Sequence, residues 1–186
     1  MWKRLSSKVL LKHRFLFVEE DEVELQNGQK TKWLRYGHPG DGVVIVAINN
    51  IDNTDDTADD KGVLFLRQYS YVQQKTMLQL PMGAVDKDET PEACAHRELY
   101  EEGGVHAKRM HLAGTYLPNH RRSNHTDYVY LASELTGSML SQDELPRDQE
   151  ETIECVWIPR AQIAELVTKG EIVDSDTLSS LRICGL

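Results

Sequence analysis

The chain has 186 residues, of which 40% are hydrophobic and 27% charged, with a formal net charge of −9. This size and composition suit one globular domain with its own core, plus a small N-terminal appendage, and exclude dependence on disulfide staples. The acidity argues against a general nucleic-acid binder, and makes anionic ligands difficult unless cations reverse the field locally.

The first residues, Met1 to Phe15, are basic. No apolar run long enough for a signal peptide follows them, and no stretch approaches a membrane span. A cytoplasmic protein is expected. Phe15 to Val18 and the alternating Glu22 to Leu25 read as strands. Asn27-Gly28 then marks a hairpin whose turn positions favour positive φ, and Lys32 to Tyr36 is the return strand. His38 to Gly42 is a turn. Val43 to Ile48 is an unbroken apolar, β-branched run, the mark of a buried strand. The aspartate-rich stretch from Asn49 to Lys61 reads as a solvated loop. As a calcium loop it lacks the terminal glutamate. Val63 to Leu66 and Met77 to Leu80 are further strands, the latter ended by Pro81 and Gly83.

The period then changes. Pro91 to Glu102 reads as a helix, with Thr90 as N-cap, Pro91 at the first position, Glu92 at the positive end of the dipole, and Gly103-Gly104 as the stop. Strands are expected near Met110 to Tyr116, Tyr128 to Ala132 and Ile153 to Ile158. Helices are expected over Arg160 to Thr168 and Ser175 to Arg182. The pattern is α/β (α+β layered), a mixed sheet flanked by helices. The three cysteines, Cys94, Cys155 and Cys184, are too scattered for metal spacing and read as reduced thiols, the first two as packing residues.

On the helix, Glu98, Glu101 and Glu102 fall at i, i+3 and i+4, within one stripe. Three like charges side by side are either a solvated face or a cation site, since carboxylate oxygens suit magnesium and manganese. A bound cation would also let an acidic protein hold a polyanion. The segment from Gly83 to Val105, GAVDKDETPEACAHRELYEEGGV, resembles the Nudix box G-x5-E-x7-R-E-U-x-E-E-x-G-U without a gap. Gly83 and Glu89 open it, Arg97-Glu98, Leu99 and Glu101-Glu102 form its centre, and Gly104-Val105 close it. A chance match at a given start is below roughly one in ten million at ordinary residue frequencies.

The resemblance implies a loop–helix–loop beside a mixed sheet, and a magnesium- or manganese-dependent hydrolase. It implies metal ligation by Glu98 and Glu102, by Glu101 directly or through water, and by the backbone carbonyl of Met82. Arg97 would pair with Glu89 and orient the stripe. Upstream, FLRQYSYVQQKTMLQLPMG resembles the ADP-ribose pyrophosphatase branch, with Gln79 where that branch has a glutamate and Met82 where it has a small residue. Arg67 is a candidate phosphate contact and Gln79 a further substrate contact. Tyr128 to Ala132 followed by an acidic segment is similar to the same branch. It points to Glu151 as a catalytic carboxylate, with Glu150 next and Gln149 where some members carry an acid.

Leu117 to His125 forms a basic loop. Arg121 and Arg122 are candidate phosphate or sugar contacts. Its two histidines lack a third partner at zinc spacing. The branch also implies that residues 1–40 form an N-terminal antiparallel β-hairpin subdomain that joins a homodimer, ahead of a hydrolase domain at 41–186. Trp2, Trp33 and Tyr36 are expected in core or dimer packing, with base stacking as the alternative. The expected substrate is a nucleoside diphosphate sugar such as ADP-ribose, with no nucleic-acid or membrane partner. A dinucleoside polyphosphate, a nucleoside triphosphate, coenzyme A or a non-catalytic binding module are the rival readings.

Overall fold

The architecture was obtained as a computed structural model, which describes residues 1–49, 62–137 and 153–186. The aspartate-rich loop, apart from Asn49, lies outside the described residues, as do Gln149, Glu150 and Glu151. The N-terminal part is a three-stranded antiparallel sheet of β1 (Lys3–Lys12), β2 (Phe17–Glu24) and β3 (Lys30–Gly37), in that order. Two expectations change here. The strands read at Phe15 to Val18 and Glu22 to Leu25 are one strand, and the hairpin becomes a three-strand meander because β1 adds to its edge. At the turn only Gly28 has positive φ (79°), and its amide donates to the Leu25 carbonyl at 3.0 Å. This is the longer hairpin loop with a single left-handed glycine, rather than a two-residue turn with both centres left-handed.

Within that sheet the Arg35 guanidinium is flanked by Glu19 and Asp21 of β2, with Nε 2.9 Å from Asp21 Oδ2. Burial opposes ionisation of Asp21, but hydrogen bonds from Ser7 and Arg35 outweigh it and hold the carboxyl below its ordinary range. The Trp2 and Trp33 rings meet edge to face at 5.4 Å within the meander, with Trp2 exposed rather than in a core.

The rest of the chain is layered. A four-stranded sheet runs β7 (Met82–Ala84), β4 (Gly42–Ala47), β9 (Asp127–Thr136), β8 (His106–Tyr116), and β4 and β9 are parallel. A second, antiparallel sheet runs β10 (Ile153–Pro159), β5 (Gly62–Ser70), β6 (Lys75–Gln79). The four-stranded sheet is the expected mixed one, and the second is wholly antiparallel. Every residue of β4 is buried, as its unbroken apolar run predicts for a strand covered on both faces. Its side chains alternate between two cores. Val43, Ile45 and Ala47 pack with Leu64, Cys94, Ala95 and Leu99. Val44 and Val46 pack with Val63, Phe65, Ile163 and Leu181.

The first core seats α1 (Pro91–Gly103); the second seats α2 (Arg160–Thr168) and α3 (Ser175–Ile183). The caps on α1 fall where the sequence places them. Thr90 Oγ1 accepts from the Ala93 amide at 3.2 Å, and Gly104, at φ 70°, donates to the Tyr100 carbonyl. Among the described residues no helix is long and apolar enough to cross a membrane.

Candidate active site

The box starts on β7 and continues into α1, and the two are fastened by the residues that the motif names. Arg97 is the hub. Its Nε and Nη2 form a forked pair with Glu89 at 3.0 and 2.9 Å. Its Nη1 lies 2.7 Å from Glu98 Oε1 and 3.0 Å from Glu101 Oε2, and Nη2 also donates to the Ala84 carbonyl at 3.2 Å. The planar guanidinium alone offers enough donors in a fixed fork to serve all four. Arg97 depresses the Glu89 carboxyl below its ordinary range, against the effect of burial. The expected Arg97–Glu89 pair is present, and the guanidinium reaches the acidic stripe directly as well.

Glu98 and Glu102 are buried, whereas Glu101 is partly open. Burial pushes the Glu98 carboxyl up to about 7, with Arg97 opposing and Glu101 and Glu89 assisting. Glu102 Oε2 accepts from the Met82 amide at 2.9 Å, which ties the C-terminal half of the stripe to β7. Gly83 lies against Glu98 so closely that a Cβ would overlap the carboxylate. Gly83→Ala is therefore expected to displace Glu98 and lower kcat/KM about a hundredfold, the scale of a misplacement of roughly 1 Å. Steady-state kinetics alongside circular dichroism checks this. Full activity in a folded Gly83→Ala protein would show that the approach is dispensable.

The donor types in the stripe and at the Met82 carbonyl are hard oxygens, which fit magnesium or manganese. The arrangement is not a gathered ligand shell: among the described residues no group of three His, Cys, Asp or Glu side chains converges closely enough to hold an ion. Arg97 Nη1 supplies the positive charge between Glu98 and Glu101 instead, and Glu102 faces the Met82 amide.

The other candidates separate. Arg67 is exposed and pairs across strands with Glu154 at 3.5 Å. Gln79 donates to Gln68 Oε1 at 2.8 Å, one neutral amide on another. Arg122 stacks over Trp33 at 4.5 Å and donates to the Leu34 carbonyl, so it fastens its loop to the N-terminal sheet. Arg121 is exposed. Tyr36 bonds Asn119 at 3.0 Å and is occupied in the same junction.

A cavity of about 1030 Å³ adjoins the box, walled by Met82 to Lys87 and Glu89 on one side and by Arg14 to Leu16 of the N-terminal turn on another. His38 to Val44, His125, Asp127 and Asp176 complete much of it. Arg67, Gln79, Arg121 and Arg122 are not among its lining residues, nor are Glu98, Glu101 and Glu102; Met82, through its amide on Glu102, and Gly83, against Glu98, touch both cavity and stripe. Sequence reading weighed His125 only as a zinc ligand in its basic loop and missed Asp127 and Asp176. A further local signal was the paired glycines of His38 to Gly42. A Cβ on Gly40 would overlap the Val85 carbonyl, and one on Gly42 would overlap Asp127.

Comparison with known proteins agrees with this geometry. The NUDIX domain model matches residues 40–180, and the model of the nucleoside diphosphate sugar hydrolase N-terminal domain matches residues 2–33. The chain is 26% identical to an ADP-ribose pyrophosphatase of Bacillus subtilis (strain 168), over 97% of this chain and 93% of that protein. It is 27% identical to a CMP-5'-(N-acetyl-N-hydroxy-3-aminopropyl)phosphonate hydrolase of Streptomyces rubellomurinus (strain ATCC 31215), over 100% of this chain and 83% of that one. The crystal structure of an ADP compounds hydrolase superposes with a TM-score of 0.79 at 20% identity, covering 98% of this chain and 91% of that one, a likeness of fold. With an ungapped box on α1, its arginine hub in place and a family model spanning most of the sequence, the chain belongs to the Nudix hydrolase family.

Proposed function

We propose that the protein hydrolyses the pyrophosphate bond of a nucleoside diphosphate sugar, most directly ADP-ribose to AMP and ribose 5-phosphate. The observation that carries this reading is the pairing of an intact box with an N-terminal segment matching the nucleoside diphosphate sugar hydrolase model at residues 2–33. Similarity to the Bacillus pyrophosphatase over nearly the whole chain supports it. Glu98, Glu101, Glu102 and the Met82 carbonyl would hold magnesium or manganese. When bound, such an ion neutralises the diphosphate and makes a water more acidic.

The chain's own residues then do the rest. Arg97, held by Glu89, fixes Glu98 and Glu101 in place. Gly83 leaves the room that Glu98 needs. Glu151, outside the described residues, is assigned the proton of the attacking water. The water oxygen joins one phosphorus, and the bridging P–O bond breaks towards the other phosphate. Arg67, Gln79, Arg121 and Arg122 remain candidate contacts for substrate, the arginines being exposed.

Residues 1–40 would serve as the dimerising subdomain and 41–186 as the hydrolase domain. The exposed Val9, Leu10 and Leu11 of β1 support a homodimer through that sheet. The free thiols support a cytoplasmic setting. A second reading, a nucleotide joined to a group other than a sugar, is favoured by the similarity to the Streptomyces phosphonate hydrolase.

The test is product release from ADP-ribose, GDP-mannose, UDP-glucose, a dinucleoside polyphosphate and a nucleoside triphosphate, each with magnesium and with chelator. Magnesium-dependent AMP from ADP-ribose, with weak triphosphate cleavage, is the expected result. Preference for a triphosphate would remove the diphosphate-sugar reading. Turnover undiminished by chelator would remove the metal.

A further inference from the structure

Where β4 and β9 begin, the wall of the cavity is made of His125, Asp127 and Asp176. Its parts are held in place. His125 lies with Nδ1 3.0 Å from the Gly40 carbonyl and Nε2 2.9 Å from Asp127 Oδ1, so the ring orients that carboxylate. Gly42 gives Asp127 the space it occupies, since a Cβ there would meet its Oδ1. Asp127 is only 6% exposed. Asp176 stands in the first turn of α3, and burial, then the nearby charges of Asp174 and Asp127, push its carboxyl above the ordinary range. The Tyr116 hydroxyl is buried and has no hydrogen-bond partner of good geometry among the described residues. Burial, with Asp127 and Asp176 nearby, disfavours its ionisation.

The two carboxylates accept hydrogen bonds and repel an anion brought against them, while Arg14 and Lys87 line other parts of the same cavity. Asp127 and Asp176 do not welcome a phosphate, yet the reading above requires a ligand that carries two. The two demands are met if the diphosphate stays at the box and an uncharged part of the same molecule enters the cavity. Gly83 permits this, because it lines the cavity and touches Glu98. A volume of about 1030 Å³ is ample for a nucleoside or sugar. A vicinal diol presents two O–H donors, and hydrogen bonds from hydroxyls to carboxylates are among the strong ones.

Resting on the nucleoside diphosphate sugar reading, we propose that this wall is a subsite for an unphosphorylated ribose, taking its vicinal hydroxyls on Asp127 and Asp176 and rejecting a ribose that bears a further phosphate. Asp127 and Asp176 contact the ligand; His125 is a positioning residue acting through Asp127.

The experiment is binding and turnover by the full chain with magnesium, for ADP-ribose, its 2'-phosphorylated analogue, and analogues deoxygenated at the adenosine ribose or at the terminal ribose. Wild-type protein is expected to prefer ADP-ribose to the phosphorylated analogue. Loss with one deoxy analogue identifies which ribose occupies the wall. Asp176→Asn is expected to raise KM for ADP-ribose about tenfold with kcat changed less than about threefold, the scale of one hydrogen bond to a charged group. Asp176→Lys is expected to narrow the preference against the phosphorylated analogue by about tenfold or more. His125→Gln, which keeps a donor for Asp127, should raise KM less than His125→Ala. Unchanged KM in a folded Asp176→Asn protein, or equal affinity for both deoxy analogues and ADP-ribose, overturns the subsite. If wild type turns over no nucleotide sugar, the functional reading fails, and calorimetric binding of ADP-ribose decides the subsite separately: equal affinity for wild type and Asp176→Asn, or no binding at all, overturns it.

Discussion

Glu98→Gln is expected to lower magnesium-dependent turnover roughly a thousandfold while the chain stays folded, since metal stabilisation of transition-state charge is a matter of several kcal/mol. Glu98 is one of the two buried carboxylates of the stripe. It sits against Gly83, shares Arg97 Nη1 with Glu101, and is pushed up to about 7 by burial. Burial at that cost, with a glycine kept free beside it, supports the proposed metal role. The amide has the same shape but no charge, so packing against Gly83 survives. Arg97 keeps its forked pair with Glu89. The check is kcat at saturating magnesium, together with thermal unfolding in chelator. Near-normal turnover at matched magnesium would remove Glu98 from the ligand set. Glu101→Gln, on a side chain that is partly open, should cost less.

Removing the hub acts on stability as well as activity. Arg97→Met leaves Glu89, Glu98 and Glu101 facing one another without their cation. Breaking a buried ion pair from one side costs about 3–5 kcal/mol. Because the Arg97 side chain is 30% exposed, the lower end applies after solvent screening, about 3 kcal/mol. For a chain of this size that is a fall in Tm of roughly 6–12 °C. Turnover should fall about ten- to a hundredfold, as when a group orienting metal ligands is lost.

Two further readouts separate the electrostatic cause from simple loss of packing. Added magnesium should raise Tm more in Arg97→Met than in wild type, because it supplies charge where the guanidinium was. The pH dependence has a definite sign. Arg97 lowers the folded-state Glu89 carboxyl from its ordinary 4.5, so this stabilisation is complete above that value and is lost as pH falls through the depressed one. The gap in Tm between wild type and variant should therefore be wide at neutral pH and close below about 4.5. A gap independent of both magnesium and pH would mean that Arg97 acts through packing alone.

Much of this was legible in the linear chain because the signals are local. The caps of α1 lie within a few residues of the helix they close, and Thr90, Pro91 and Gly104 hold those positions. The unbroken run of β4 has one physical solution, burial on both faces. The i, i+3, i+4 spacing of Glu98, Glu101 and Glu102 makes a stripe in any helix. The box, with its arginine and glutamate eight residues apart, specified the Arg97–Glu89 pair that the fold contains.

The tertiary structure decided whatever depends on partners distant in sequence. β1 escaped notice because all its side chains are exposed; backbone pairing with β2 makes it a strand and leaves no burial pattern to read. That Arg122 also fastens its loop could not be read locally, because Trp33 and Leu34, which hold it, lie far back in the chain. His125 and Gly40 are separated by 85 residues, and only the parallel pairing of β4 with β9 brings their loops together. That Glu98 and Glu102 of the acidic stripe are buried rather than solvated was likewise a matter of tertiary packing, because a helical period sets which side chains share a face but not what that face meets. The sequence by itself determined the local elements, the box and its charge pattern. Packing determined which charges were buried, which were paired, and where a cavity opened beside them.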